Sequence, residues 1–172
     1  MLDLTWWLMG KPRPVSVTAQ TYRTIGNEPG HVGQFGPWDH ATYTVEDFAC
    51  GMVRFANGAT MLIECGFNVN LDASRMGSNL VGDKGGASIS PLSVQIELNG
   101  HITDCTPLDV EAIDAANPLG KLTPHGREIV AFCRSILFNE EGAVPGREAI
   151  WTQKIIHAMI RSAASGREVR IR

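Results

Sequence analysis

Apolar and polar positions change rhythm twice along this chain. The opening run, Met-Leu-Asp-Leu-Thr-Trp-Trp-Leu-Met, is mostly apolar and predicts a helix over 2–9. Gly10 ends it, with Pro12 and Pro14 behind, because glycine takes the left-handed cap conformation and proline cannot continue a helix. From Val15 to Tyr22, small or apolar residues alternate with polar ones, the two-residue period of a strand. A Gly- and Pro-rich stretch over 26–40 then reads as a long loop, of a length that is usually functional or mobile. Alternation returns over 45–56 and 59–69, on either side of Asn57-Gly58. Asn-Gly between such runs predicts a hairpin, since both central residues of its turn need positive φ. In the second arm Met61, Ile63, Cys65 and Phe67 should point inward, and Thr60, Leu62 and Glu64 outward.

Further strands are predicted over 75–82, 87–90, 93–98 and 102–105, with turns at Gly82-Asp-Lys-Gly-Gly and Asn99-Gly100. Val94, Ile96 and Leu98 form the inward set of the third. The rhythm then becomes helical. Thr123-Pro124 is a helix start, with a capping hydroxyl and proline at the first position. Ile129, Phe132, Cys133, Ile136 and Leu137 follow at helical spacing. Pro145 opens a last helix with Ile156, Met159, Ile160 and Ala163 on one face. Gly166 ends it before a short strand over 168–171. Strands followed by segregated helices predict an α+β fold, a mainly antiparallel open β-sheet with helices packed on one face, and a single domain over 1–172. Leu62, Phe48 and Met52 fall on the other face of that sheet. Either a second copy of the chain or a layer of loops would cover them.

Composition narrows the function classes. The chain has 172 residues, 44% of them apolar, and a net charge of −3. That is enough for one sizeable core, and too acidic to attract nucleic acid or an anionic membrane. No run approaches a membrane span, and Asp3 stands where a signal peptide would be basic, so a cytoplasmic protein is expected. Cys50, Cys65, Cys105 and Cys133 lack disulfide or zinc spacing and read as small core hydrophobes. The helix that opens at Met1 has no capping residue before it. It is either a docked terminal helix or one whose upstream part is missing, and the second reading is preferred.

Chemistry concentrates in the loop. His31, Trp38, Asp39, His40 and Tyr43 combine an aromatic face with polar groups, the set that grips a sugar. Each also has a plainer reading, as a plug on the sheet or a solvated loop residue. Arg75 and His125 are weaker candidates. Gly30, Gly33 and Gly36 do not make a nucleotide loop, because no helix follows whose N-terminus could meet a pyrophosphate. No nucleophile elbow, paired carboxylates or metal motif is present.

Several segments in order resemble one family. Leu-Asp-Leu-Thr-Trp-Trp-Leu-Met-Gly-Lys-Pro from Leu2 is similar to the helix after the Asp-x-x-x-His motif of Gfo/Idh/MocA oxidoreductases. Tyr-Thr-Val-Glu-Asp-Phe-Ala from Tyr43 resembles the family's Val-Glu-Asp strand. Arg-Phe-Ala-Asn-Gly-Ala-Thr from Arg54 resembles its hairpin, and Val-Gly-Asp-Lys-Gly-Gly-Ala from Val81 its Gly-x-x-Gly turn. Phe132, Val-Pro-Gly-Arg-Glu-Ala from Val144 and Ser-Ala-Ala-Ser-Gly-Arg-Glu-Val-Arg-Ile from Ser162 resemble its last helices and closing strand. The resemblance implies the substrate-binding and oligomerising half of an NAD(P)-dependent sugar or polyol dehydrogenase. The Rossmann half, and the catalytic Lys, Asp and His, would lie upstream of Met1. This half would bind no cofactor itself, with NAD or NADP held by the full-length enzyme. It would face a sugar or polyol with His31, Trp38, Asp39, His40 and Tyr43, and form a homo-oligomer through the sheet face. Val45-Glu-Asp is expected to serve sheet structure and domain packing. The alternative is a stand-alone, non-enzymatic oligomerising or ligand-binding module of the same fold. An unrelated α+β enzyme ranks last.

Overall fold

The computed structural model describes residues 1–33, 36–67, 69–71, 76–109, 117–142 and 144–172. Along the chain run α1 (Leu2–Leu8), β1 (Pro14–Tyr22), a 3-10 turn (His40–Thr42), β2 (Phe48–Phe55) and β3 (Thr60–Gly66). Then come β4 (Asn79–Val81), β5 (Gly85–Ile89), β6 (Leu92–Leu98), β7 (His101–Asp104), α2 (Pro124–Leu137), α3 (Gly146–Ser165) and β8 (Val169–Arg170). The fold is α+β, with antiparallel open sheets and three helices. Two compact units emerge, one from residues 1–75 with 150–172, the other from 76–149. The strands accordingly divide into two four-stranded sheets, where the alternation alone pointed to one. Each of β4 to β7 pairs with its sequence neighbours through tight turns, so that meander is complete without β3.

The first unit is built on the order β3-β2-β1-β8. The Asn57-Gly58 turn sets the register, but only Gly58 takes positive φ, at +88°. Asn57 does not, and in place of the expected two-residue turn the Gly58 N–H donates to the Phe55 carbonyl while the Phe55 N–H donates to that of Ala59. Val17, Val53 and Met61 then form one cross-strand row, and Ala19, Gly51 and Ile63 the next. Because side chains alternate across a strand, both rows share a face. Onto it pack Trp6 from α1, Ile155, Ala158 and Met159 from α3, and Ile171. Trp6 buries its ring and donates its indole N–H to the Pro12 carbonyl at 2.8 Å. Gly51 has no room for a side chain, since a Cβ there would lie 2.7 Å from that of Ala19.

The inward face of α3 sits one residue from the predicted one. Ile155, Ala158, Met159 and Ser162 are buried, while Ile156 and Ile160 are exposed. Ser162 is the reason. Its hydroxyl accepts the Ala19 N–H at 2.9 Å and donates to the Arg167 carbonyl at 2.7 Å. β8 pairs with β1 only at Ser16 and Val17, so Ser162 satisfies the next free donor along that edge. Glu168 completes the closure, accepting from Ser16 and lying 3.5 Å from the Arg54 guanidinium. On the opposite face Thr18, Met52 and Leu62 form a row, as do Tyr22, Phe48 and Gly66. Leu62 is 79% exposed there.

The second unit is the meander β4-β5-β6-β7 with α2. Its Gly82-to-Gly86 turn needs glycine for close approach: a Cβ on Gly85 would lie 2.3 Å from the Gln95 carbonyl oxygen. Asn99 and Gly100 both take positive φ, as the hairpin demands. Thr123 caps α2 by accepting the Gly126 N–H at 3.1 Å, with Pro124 behind it. The apolar stripe of α2 does not become core, however. Ile129, Phe132, Ile136 and Leu137 are exposed, and none of its described residues is buried. The cysteines also depart from expectation. Cys50 is half-buried, and Cys65, Cys105 and Cys133 are exposed free thiols. Cys65 lies near the end of β3, Cys105 just past β7 and Cys133 on the exposed stripe of α2.

Candidate functional site

Between β1 and β2 the chain leaves the sheet at Tyr22 and returns at Phe48. So long a connection keeps one conformation only if its backbone donors find partners. Asp47 supplies them. Its side chain is fully buried and accepts the N–H groups of Thr24, of Ile25 at 2.8 Å and of Gly26 at 2.9 Å. Burial alone would raise the Asp47 pKa. The N–H groups of Ile25, Thr24 and Gly26, helped by the Tyr43 hydroxyl, outweigh it and hold the carboxyl below its ordinary range. The backbone of Asp47 closes the same corner, its N–H donating to Tyr22 and its carbonyl accepting from Phe67.

Gly26 is the next link. A Cβ there would lie 2.1 Å from the Tyr43 ring, so only glycine lets the phenol lie flat on this backbone. Its carbonyl accepts the indole N–H of Trp38 at 2.9 Å and faces Nδ1 of His40 at 3.1 Å. Trp38 sits at the centre of a ring cluster. Its centroid lies 5.9 Å from His31, 5.5 Å from His40, 5.8 Å from Tyr43 and 6.4 Å from Phe67. Such tilted contacts add aromatic stacking energy to simple burial. Burial first, then the hydrogen bond and charge of Asp47, push the Tyr43 phenol up. The hydroxyl is buried without a partner at full hydrogen-bond geometry, so its contact with Asp47 is a poorly aligned one.

Four of the five residues predicted from the sequence, His31, Trp38, His40 and Tyr43, are thus brought into one cluster. Asp39 does different local work. It caps the 3-10 turn by accepting the Ala41 N–H at 3.0 Å. Asn27 holds the turn from the other side, donating to the carbonyls of His40 and Tyr43. Of the weaker candidates, Arg75 lies outside the described residues. His125 is exposed on α2 beside Glu128. Sequence reasoning missed Gly26, Asn27 and Phe67, and gave Asp47 to the sheet, where it also anchors the loop. The Gly26 signal was an isolated glycine at the mouth of an aromatic loop.

Gly33 and Gly36 form an isolated antiparallel bridge, and the three-residue turn His40–Thr42 follows. Among the described residues no three of His, Cys, Asp and Glu gather as metal ligands. No described helix is long and apolar enough to cross a membrane. A groove of about 610 Å³ along α3 and β8, lined by Lys154, His157, Arg161 and Arg170 among others, shares no residue with the loop.

Comparison with known proteins gives these observations a family. The family model described as the C-terminal alpha/beta domain of the Gfo/Idh/MocA oxidoreductase family matches residues 1–171. D-glucoside 3-dehydrogenase of Escherichia coli K12 is 30% identical over 172 residues, covering 99% of this chain and 46% of that protein. The chain therefore spans about half the length of this curated relative. Aldose-aldose oxidoreductase of Caulobacter crescentus, solved with glycerol, superposes with a TM-score of 0.67 at 22% identity, over 98% of this chain and 44% of that one. Levoglucosan dehydrogenase, solved with NADH and levoglucosan, gives 0.68 at 22%, over 98% and 47%.

Proposed function

Because the chain belongs to the Gfo/Idh/MocA oxidoreductase family, as its C-terminal alpha/beta domain, we propose that it is the substrate-side half of an NAD(P)-dependent sugar or polyol dehydrogenase. The observation that carries this reading is the ring cluster around Trp38, braced by Gly26 and Asp47. A sugar offers an apolar ring face edged by hydroxyls. An indole flanked by imidazoles and a phenol complements both features. Hydride transfer further needs a nicotinamide and a proton acceptor for the reacting hydroxyl. These belong to the other half of the full-length enzyme, where the resemblance puts the Rossmann fold and the catalytic Lys, Asp and His. This half contributes the pocket wall, and the names of the relatives support a carbohydrate or polyol occupant. Its uncovered outer row, Leu62 beside Met52, is where we place self-association.

The test is Trp38→Ala in the full-length enzyme. The sugar KM should rise by about tenfold, the scale of a lost stacking partner, and cofactor affinity should stay within about twofold. An unchanged KM removes the loop from the pocket.

A further inference from the structure

The hydrogen bonds around Gly26 decide more than the shape of the loop. A carbonyl oxygen only accepts, so the 3.1 Å contact between the Gly26 carbonyl and Nδ1 of His40 requires the proton on Nδ1. In the neutral imidazole Nε2 then keeps its lone pair. Nε2 makes no hydrogen bond among the described residues, and the half-buried ring leaves that edge open. Three contacts aim it. Trp38 packs against the ring at 5.5 Å, Asp39 caps the turn that begins at His40, and Asn27 holds the His40 carbonyl at 3.0 Å.

We propose that His40 presents Nε2 as a hydrogen-bond acceptor for one hydroxyl of a polyhydroxylated ligand, and that Asp47 is the positioning residue that enforces this tautomer through Gly26. The inference rests on the loop being the sugar-facing wall, and deepens it by naming the polar contact and its direction. Asp47 holds the N–H groups of Thr24, Ile25 and Gly26, and the Glu28 N–H closes a turn on the Ile25 carbonyl at 3.0 Å, so the Gly26 carbonyl, in the central peptide of that turn, has its direction set from both ends. That direction is shared by the Trp38 and His40 donors. The stacking face and the acceptor of the pocket are therefore set by one backbone carbonyl. A hydroxyl bound at Nε2 must be a donor. A ligand carrying an ether or a deoxy carbon at that position forgoes the bond and is discriminated against, because a buried polar group is left unpaired.

The experiment uses the full-length polypeptide with 15N-labelled histidine and long-range proton–nitrogen correlation. The His40 resonances are assigned by their loss in His40→Asn. The ligand-free protein should show Nδ1 protonated and Nε2 bare at His40. Methyl D-glucoside added to saturation should move the Nε2 resonance. Asp47→Asn should blur the tautomer into a mixture. A His40 protonated on Nε2, or a tautomer indifferent to Asp47→Asn, overturns the relay. Kinetics with methyl D-glucoside supply the second readout. The asparagine of His40→Asn can still donate to Gly26 from the Nδ1 position but has nothing at Nε2, whereas the amide oxygen of His40→Gln can stand where Nε2 stood. The KM should rise about tenfold for His40→Asn, with kcat within about twofold, and recover most of that in His40→Gln. A His40→Asn KM equal to wild type, while Trp38→Ala raises it, sinks this inference alone. Equality in both variants sinks the wall reading beneath it. Should His40→Asn not fold, the tautomer can be read in the wild-type protein, assigning His40 from the remaining single histidine substitutions.

Discussion

Asp47→Ala should release the loop and weaken the whole first unit, by an amount the contacts allow one to work out. The carboxylate is fully buried and accepts three backbone N–H groups. Alanine leaves all three donors without it. Gly26 is buried, so its N–H loses a partner where water does not reach, a loss of about 1–3 kcal/mol. Thr24 and Ile25 are more open and can rehydrate, so each adds roughly 0.5–1 kcal/mol. Relief of the carboxylate's own desolvation offsets part of this, leaving about 3 kcal/mol. Against a stability of roughly 5–15 kcal/mol that is a large fraction. With a urea dependence of about 2 kcal/mol per molar, the midpoint should fall by roughly 1.5 M, read through tryptophan fluorescence. Hydrogen exchange should locate the loss at Thr24, Ile25 and Gly26. The sign with pH follows from the lowered carboxyl pKa. The folded state binds this proton less readily than the unfolded one, so the stabilisation is fully present above the ordinary value of 3.8. It is lost as pH falls from there through the folded pKa. The gap between wild type and Asp47→Ala should therefore narrow as pH drops below about 4. A midpoint within about 0.3 M of wild type near neutrality, or a gap that widens in acid, would refute the assignment of Asp47 as the anchor.

Two further outcomes follow from the first unit. Ser162→Ala removes the hydroxyl that bridges the Ala19 N–H and the Arg167 carbonyl, and should destabilise by about 1–3 kcal/mol, measured as a drop in thermal midpoint. Leu62→Glu puts a charge in the uncovered row beside Met52. If the chain self-associates through this face as proposed, light scattering should show a smaller assembly while stability to urea changes by less than about 0.5 kcal/mol, and an unchanged mass would take self-association off this face.

How far the chain was legible depended on the range of the interactions involved. The hairpin at Asn57-Gly58, the Thr123 cap and the stop at Gly166 are decided by residues within a turn of one another, and each stands where the pattern put it. The α3 face was displaced by one residue because its decisive member, Ser162, is polar. An apolar count passes over a serine whose partners are a backbone N–H 143 residues away and a carbonyl five residues on. The α2 stripe looked like core because periodicity reports amphipathicity and not what covers it. Four loop rings were readable as a group since they crowd one short segment. Their bracing was not, since Asp47 reaches back 21 to 23 residues to find its donors.

That difference in range separates two kinds of residue in the loop. Gly26 and Asp47 work through backbone groups and tolerate no exchange. A side chain on Gly26 collides with the Tyr43 ring, and a shorter or uncharged residue at Asp47 leaves N–H groups unpaired. His31 and His40 sit at the edge of the cluster, their ring centroids 5.9 and 5.5 Å from that of Trp38, and neither supports the backbone through more than one side-chain contact. On the proposed reading, a substitution at the edge changes which ligand hydroxyls meet a donor or an acceptor, while the Gly26 carbonyl goes on holding Trp38. A substitution at the base moves Trp38 and His40 together. Ligand preference should therefore respond to changes at His31 and His40 one residue at a time, whereas changes at Gly26 or Asp47 should cost affinity for every ligand alike. On the proposed reading, the legible side chains make the ligand contacts, and the backbone corner that was not legible holds them in place.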